Sequence, residues 1–154
     1  MNPAVRAAAN VGTDLAAIGR LLHAFNTEFA GPTPPAQVLA ARFGRLLAAD
    51  TMVLLGGDGP DGIAVLRFRE AIWSEGLECY LAELYVVPHL RGRGLGRALM
   101  EEAISLARAK GADTMDLGTD EGDDAAQALY ESLGFSKTGG VPRGPVSWFY
   151  ELEL

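Results

Sequence analysis

The sequence predicts a single mixed α/β domain, a twisted sheet flanked by helices, and three observations carry that expectation. Apolar residues recur at helical spacing in some stretches, as in Leu15, Ile18, Leu22 and Phe25, and form short strand-like blocks in others, as in Thr51-Met52-Val53-Leu54-Leu55. Clusters rich in glycine, proline and aspartate, such as Gly31-Pro32-Thr33-Pro34-Pro35 and Gly56-Gly57-Asp58-Gly59-Pro60-Asp61-Gly62, punctuate these stretches. A glycine-rich turn, Arg91-Gly92-Arg93-Gly94-Leu95-Gly96-Arg97, joins an apolar run to an amphipathic helix. At 154 residues, 49% of them hydrophobic, the chain can bury a real core, and no repeat, linker or low-complexity tract divides residues 1–154.

The elements follow in order. Ala4-Val5-Arg6-Ala7 reads as a short first strand. Thr13 or Asp14 suits the N-cap of a helix running to about Phe29, which Gly31-Pro32-Thr33-Pro34-Pro35 then ends. Pro34 and Pro35 fit the first turn of a second helix carrying Val38, Leu39, Phe43, Leu46 and Leu47 to about Ala49. The strand Thr51–Leu55 leads through Gly56-Gly57-Asp58-Gly59-Pro60-Asp61-Gly62 into a longer strand, Ile63 to about Ile72, as a hairpin. Glu78–Val87 is the fourth strand. Gly94–Lys110 is a helix with Leu95, Leu99, Met100, Ala103, Ile104 and Ala107 on its inner side and Gly111 at its end. A strand over Thr114–Leu117, a helix over Asp124–Leu133 and a last strand over Val146–Leu154, with Trp148, Tyr150, Leu152 and Leu154 alternating against Phe149, Glu151 and Glu153, complete the chain.

Composition narrows the functional classes. The net charge of −7 argues against general nucleic-acid binding and suits a cationic substrate, although surface acid also serves solubility. The lone Cys79 excludes an internal disulfide and fits a reducing compartment; within an apolar strand pattern it reads as a buried structural thiol. His23 and His89 with one cysteine make a poor zinc set, so no metal is expected. The N-terminus makes a poor signal peptide and no apolar run approaches the roughly 18 residues of a membrane span, so the expected location is cytoplasmic.

The Arg91–Arg97 turn decides the chemistry. Glycines let the backbone turn tightly and approach a ligand closely. The helix start offers N–H groups and a positive dipole end to an anion, and arginines add bidentate phosphate contacts. A mere strand-to-helix connection does not call for three arginines around three glycines. A Rossmann fingerprint needs G-x-G-x-x-G, whereas the third glycine comes one position early and Arg97 stands in its place. A Walker A loop fails because no Gly-Lys-Ser/Thr follows.

Two separated motifs instead resemble the GNAT superfamily of acetyl-CoA-dependent N-acetyltransferases. One is Leu84-Tyr85-Val86-Val87-Pro88 through the Arg-x-x-Gly-x-Gly turn. The other is Asp123-Asp124-Ala125-Ala126-Gln127-Ala128-Leu129-Tyr130-Glu131-Ser132-Leu133-Gly134-Phe135, with Asp123 where the family has asparagine. The resemblance covers about residues 50–154 in detail. It implies a mostly antiparallel sheet splayed between strands 4 and 5, where acetyl-CoA is the acetyl donor. The main chain of Leu84, Tyr85 and Val86 would pair with the pantetheine arm, with the Val86 N–H polarising the thioester. The backbone of Arg91, Gly92, Arg93, Gly94, Leu95, Gly96 and Arg97 would hold the pyrophosphate, and Asp123 would stand at a cofactor contact.

Catalytic roles follow from the same resemblance together with local chemistry. Glu83, a carboxylate among apolar neighbours, should have a raised pKa and suits a general base for an ammonium acceptor; it could equally be a surface acid or a partner of Arg67 or Arg69. Tyr130 stands where family members protonate the departing thiolate, and could equally be core packing. Asp120, Glu121 and Asp124 would face a cationic amine, while Asp123 or Asp124 caps the following helix. The implied acceptor is a small primary amine of aminoglycoside, diamine or polyamine type. A protein N-terminus or lysine, or a non-catalytic acetyl-CoA sensor, are the alternatives. The aromatic last strand could lie in a homodimer interface.

Overall fold

The computed structural model describes residues 3–154, and the chain runs β1 (Val5–Ala7), α1 (Gly12–Phe29), α2 (Ala36–Leu46), β2 (Thr51–Gly56), β3 (Gly62–Glu70), β4 (Leu77–Val86), α3 (Leu95–Ala109), β5 (Ala112–Leu117) and α4 (Asp124–Ser132). It falls into two compact units, one ending at Leu117 and the other spanning Gly118–Leu154.

The first unit is a five-stranded sheet in the order β1-β2-β3-β4-β5. The first four strands pair antiparallel, while β5 lies parallel to β4, the relation a helical crossover such as α3 permits. Helices cover both faces, which is why β2 and β3 read as nearly continuous apolar runs. Val53, Leu55, Ile63, Val65 and Tyr85 cluster with Ile18, Leu21 and Leu22 of α1 and Leu39 and Phe43 of α2. The intervening positions face α3: a Cβ on Gly56 would meet Leu95 Cδ1 at 2.7 Å, and one on Gly62 would meet Leu99 Cδ1 at 2.9 Å. Those two glycines let α3 lie close against the hairpin.

The helix starts differ from expectation. The N-cap of α1 is Val11, with no side-chain cap. Asp14 instead receives Arg6 Nη2 at 2.8 Å, Arg6 Nη1 at 2.9 Å and the Ala9 N–H at 2.8 Å. A carboxylate that is 5% exposed gains more from a guanidinium and an amide than from capping, and these bonds hold its pKa down at about 2. Pro35 caps α2 rather than lying inside it.

In the second unit α4 ends in a Schellman closure. Gly134, at φ 96°, sends its N–H to Glu131 O at 3.1 Å, and Phe135 sends its own to Tyr130 O at 3.0 Å. The Tyr130 and Phe135 rings meet edge to face at 6.0 Å, the apolar contact that accompanies this motif. The expected strand over Val146–Leu154 does not form. Residues 145–154 have no regular structure, and Trp148 and Tyr150 are 78% and 87% exposed. Alternation describes a face to be covered, but a strand also needs a ladder partner, and among the described residues of this unit there is none.

Candidate active site

The site begins with a bulge in β4. Val65 faces Glu83 and Leu66 faces Leu81, so Ala82 is an extra residue. The register puts Tyr80 opposite Arg67 below the bulge, and Glu83 and Tyr85 opposite Val65 and Ile63 above it. Ala82 packs with the α1/α2 cluster, so Tyr80, Ala82, Glu83 and Tyr85 share that face of the sheet.

The bulge coincides with the end of pairing to β5. The parallel ladder runs from Leu77 opposite Ala112 to Leu81 opposite Leu117 and stops there. Beyond it, among the described residues, β4 has a strand neighbour on the β3 side alone. The Val87 N–H donates to Asp61 O at 2.9 Å, toward β3, so strand alternation turns the polar groups of Val86 and Leu84 the other way, along the unpaired edge. This edge lies where the splay between strands 4 and 5 is expected, and backbone donors run along it.

Glu83 is half-buried and makes no hydrogen bond or ion pair with the described residues. Burial alone pushes its carboxyl above the usual carboxylate range. The two arginines that could have neutralised it are engaged elsewhere: Arg67 Nη2 lies 3.3 Å from Asp50 Oδ1, and Arg69 Nε binds Glu78. Cys79 is buried, and that burial, reinforced by the Asp116 charge, lifts its thiol to about 11, leaving no thiolate near neutrality.

The glycine turn lies beyond the edge of β4. Gly92 and Gly94 adopt φ 74° and 89°, and a Cβ at either would meet nothing within 4 Å, so both open onto free space. Gly94 is the N-cap of α3 and no side chain caps it. The first helical bond runs from Ala98 N to Gly94 O, which leaves the Leu95 and Gly96 N–H groups at the helix mouth without intrahelical acceptors. Arg93 is exposed, and Arg97 approaches Glu101 at 3.9 Å.

Arg91 has a separate task. Its Nε donates to Val86 O at 2.9 Å and its Nη2 to Glu28 Oε1 at 2.9 Å, while Nη1 sits 2.9 Å from Glu28 Oε2. The guanidinium lies over the Phe29 and Tyr85 rings at 5.7 and 5.5 Å. Tyr85 Oη adds a 3.3 Å bond to Glu28. The Arg91 side chain therefore ties the turn to the end of α1, and what it presents to a ligand is backbone. Sequence reading missed Glu28, an ordinary helix-end acid whose partner lies 63 residues away. It also missed the bulge, because Ala82 carries no local mark.

In the second unit Asp123 is the N-cap of α4, its Oδ1 accepting the Ala126 N–H at 3.1 Å. Asp120, Glu121 and Asp124 are exposed, and the Asp120 carbonyl receives Gln127 Nε2 at 3.0 Å. Tyr130 is 9% exposed, and burial, then the Asp123 charge, raises its phenol. Packing by Tyr130 is thus real whatever else it does. Glu83, Leu84, Tyr85, Val86 and the Arg91–Arg97 turn are brought together in the first unit. Asp120, Glu121, Asp123, Asp124 and Tyr130 belong to the second. No described helix is long and apolar enough to cross a membrane, and among the described residues no cluster of three His, Cys, Asp or Glu is placed to hold a metal.

Comparison with known proteins places the chain in a family. Residues 20–135 match the acetyltransferase (GNAT) family. A mycothiol acetyltransferase of Beutenbergia cavernae is 35% identical over 101 residues, covering 64% of this chain and 33% of that protein. An L-methionine sulfoximine/L-methionine sulfone acetyltransferase of Salmonella typhimurium is 37% identical over 71 residues, 46% of this chain and 42% of that one. The chain thus spans less than half the length of these curated relatives. A solved structure from Arthrobacter sp. FB24, whose acetyltransferase assignment is provisional, superposes with a TM-score of 0.84 at 39% identity, covering 97% of this chain and 96% of its own.

Proposed function

Because the chain belongs to the acetyltransferase (GNAT) family, we propose that it moves the acetyl group of acetyl-CoA directly onto a small primary amine. The observation that carries this reading is the edge of β4 beyond its ladder with β5, where the outward N–H groups of Leu84 and Val86 lead into the uncapped start of α3. A pantetheine arm pairs with such an edge as an added strand does, and a diphosphate suits the mouth of the helix.

The roles follow in sequence. Glu83, with its raised pKa, takes a proton from the ammonium, a loss that costs about 4 kcal/mol in water at pH 7. The amine nitrogen attacks the thioester carbonyl carbon. An edge N–H, that of Val86 or Leu84, stabilises the oxyanion that develops. The C–S bond breaks as the C–N bond becomes an amide, and the sulfur takes a proton from Tyr130, whose phenol is restored by the proton the nitrogen sheds. Asp120, Glu121 and Asp124 supply negative charge for a cationic acceptor, and Asp123 works as a helix cap. No acyl-enzyme is required, and the protonated Cys79 is unsuited to form one.

The test is thiol release from acetyl-CoA across a panel of amines. Steady turnover with at least one small amine, carrying a sequential ternary-complex signature, is expected. Tight CoA binding without turnover on any acceptor would instead make the protein an acetyl-CoA sensor.

A further inference from the structure

A second feature lies on the same face of the sheet as Glu83. Arg67, Arg69, Tyr80, Ala82 and Asp50 line an open cleft of about 260 Å³. It is smaller than the roughly 300–1,000 Å³ of sites for drug-sized ligands, and gives room for a group of amino-acid size.

The cleft is basic in an unusual way. Arg69 is held by Glu78. Among the described residues Arg67 makes a single hydrogen bond, from Nη2 to Asp50 Oδ1 at 3.3 Å, across a pair whose side chains are 41% and 53% exposed, and its buried Nε finds no acceptor. A guanidinium carries five N–H donors, and a long, solvated ion pair contributes little, so Asp50 meets only a small part of what Arg67 can donate. A ligand carboxylate gripping it bidentately would satisfy more of those donors than Asp50 does.

Spacing links this group to the base. Arg67 lies two residues along β3 from Val65, which faces Glu83, and Tyr80 faces Arg67, so the two backbone positions are about 7 Å apart along β3 on one face. We propose that the acceptor is a zwitterion of amino-acid type, its carboxylate held by Arg67 in this cleft while its amine lies at Glu83. The inference rests on the transfer reading above and narrows it: net negative charge suggests a polycation, but the charge lining the cleft beside Glu83 selects an amine that also bears an oxyanion.

The experiment compares lysine with cadaverine, which differs by the carboxylate alone, and leucine with leucinamide and 3-methylbutylamine, using wild-type protein, Arg67→Gln, Arg67→Lys and the exposed control Arg108→Gln. Wild-type protein should favour the carboxylate-bearing member of at least one set by about tenfold or more in kcat/KM, through KM. Arg67→Gln should bring that ratio toward one, Arg67→Lys should restore it in part, and Arg108→Gln should leave it unchanged. Calorimetry with lysine and with leucine in the presence of CoA reads the same site without turnover. At least one should bind wild-type protein and weaken about tenfold in Arg67→Gln. Equal or better use of cadaverine and 3-methylbutylamine, with no effect of Arg67→Gln, overturns the zwitterion assignment and leaves acetyl transfer standing. Absence of turnover with every amine, alongside Arg67-dependent binding, overturns the transfer reading and leaves the carboxylate site standing.

Discussion

Arg91 and Glu28 meet through two contacts of 2.9 Å, Nη1 to Oε2 and Nη2 to Oε1, joining the residue that opens the glycine turn to the last turn of α1. Arg91 also holds the Val86 carbonyl, so one side chain fixes the turn relative to the end of β4. Loss of Glu28 should loosen that relation. Glu28→Ala should weaken CoA binding by about three- to tenfold while costing no more than about 1 kcal/mol of stability, the range of exposed ion pairs of good geometry. Fluorescence titration with CoA and thermal melts read the two effects, and an unchanged dissociation constant would deny the latch any part in shaping the cradle.

Gly94 gives a sharper contrast. At φ 89° an alanine is strained by about 1–2 kcal/mol, yet its Cβ would touch no protein atom within 4 Å. If the open side of the turn is where a diphosphate lies, that methyl group meets the ligand. Gly94→Ala should therefore lose far more CoA affinity than stability, at least about tenfold. Equal affinity in a folded variant would place the diphosphate elsewhere.

Glu83 couples activity and stability in opposite directions. Its folded pKa is raised, so its favourable contribution is complete below the unfolded carboxylate value and is lost as pH rises through the folded one. Wherever the buried carboxyl ionises, it costs stability. Glu83→Gln should melt at a higher temperature than wild type at pH 7, with the difference closing near pH 4. The same variant should lose most activity near neutrality and recover part of it at high pH, where the amine deprotonates unaided. A variant with wild-type pH–rate behaviour would remove Glu83 from the proton path.

Much of the scaffold was legible because local chemistry and packing agree. Thr51–Leu55 and Ile63 onward formed the expected hairpin, since both strands are buried on two faces and the link between them is rich in turn residues. The Leu-Tyr and Gly-Phe elements of the second motif proved to be a helix closure, with Gly134 in the left-handed region and Phe135 on Tyr130, so part of that signature is explained by backbone geometry alone. Illegible features depend on distant partners. Asp14 looked like a cap until Arg6 claimed it, Glu28 had no meaning without Arg91, and the bulge at Ala82 is a matter of register. The last segment alternated as a strand does, but alternation does not supply the neighbour a strand requires.

Acid sensitivity should centre on Asp14. Its pKa is depressed to about 2 by Arg6 and the Ala9 amide, so its contribution is present above the unfolded value near 4 and is lost as pH falls toward 2. With Arg6 partly exposed, that contribution is about 1–2 kcal/mol. Asp14→Asn should lower the melting temperature at pH 7 and flatten the loss of stability between pH 4 and 2. A parallel pH curve in the variant would assign the acid transition to other carboxylates.

Tyr130 tests the leaving-group step. Tyr130→Phe keeps the ring that packs on Phe135 and removes the phenol. Turnover should fall by about 10²–10⁴-fold, the usual range for a positioned acid, with the CoA dissociation constant changed less than about threefold. Unimpaired turnover would make Tyr130 a packing residue only.

The most direct measurement is calorimetric titration of the purified protein with CoA, with acetyl-CoA and with pantetheine, which lacks both the diphosphate and the nucleoside of CoA. Both CoA and acetyl-CoA should bind with one site per chain, and pantetheine should bind much more weakly, because the start of α3 grips the diphosphate. Binding of pantetheine as tight as that of CoA, or no binding of either thioester or thiol, would contradict the account.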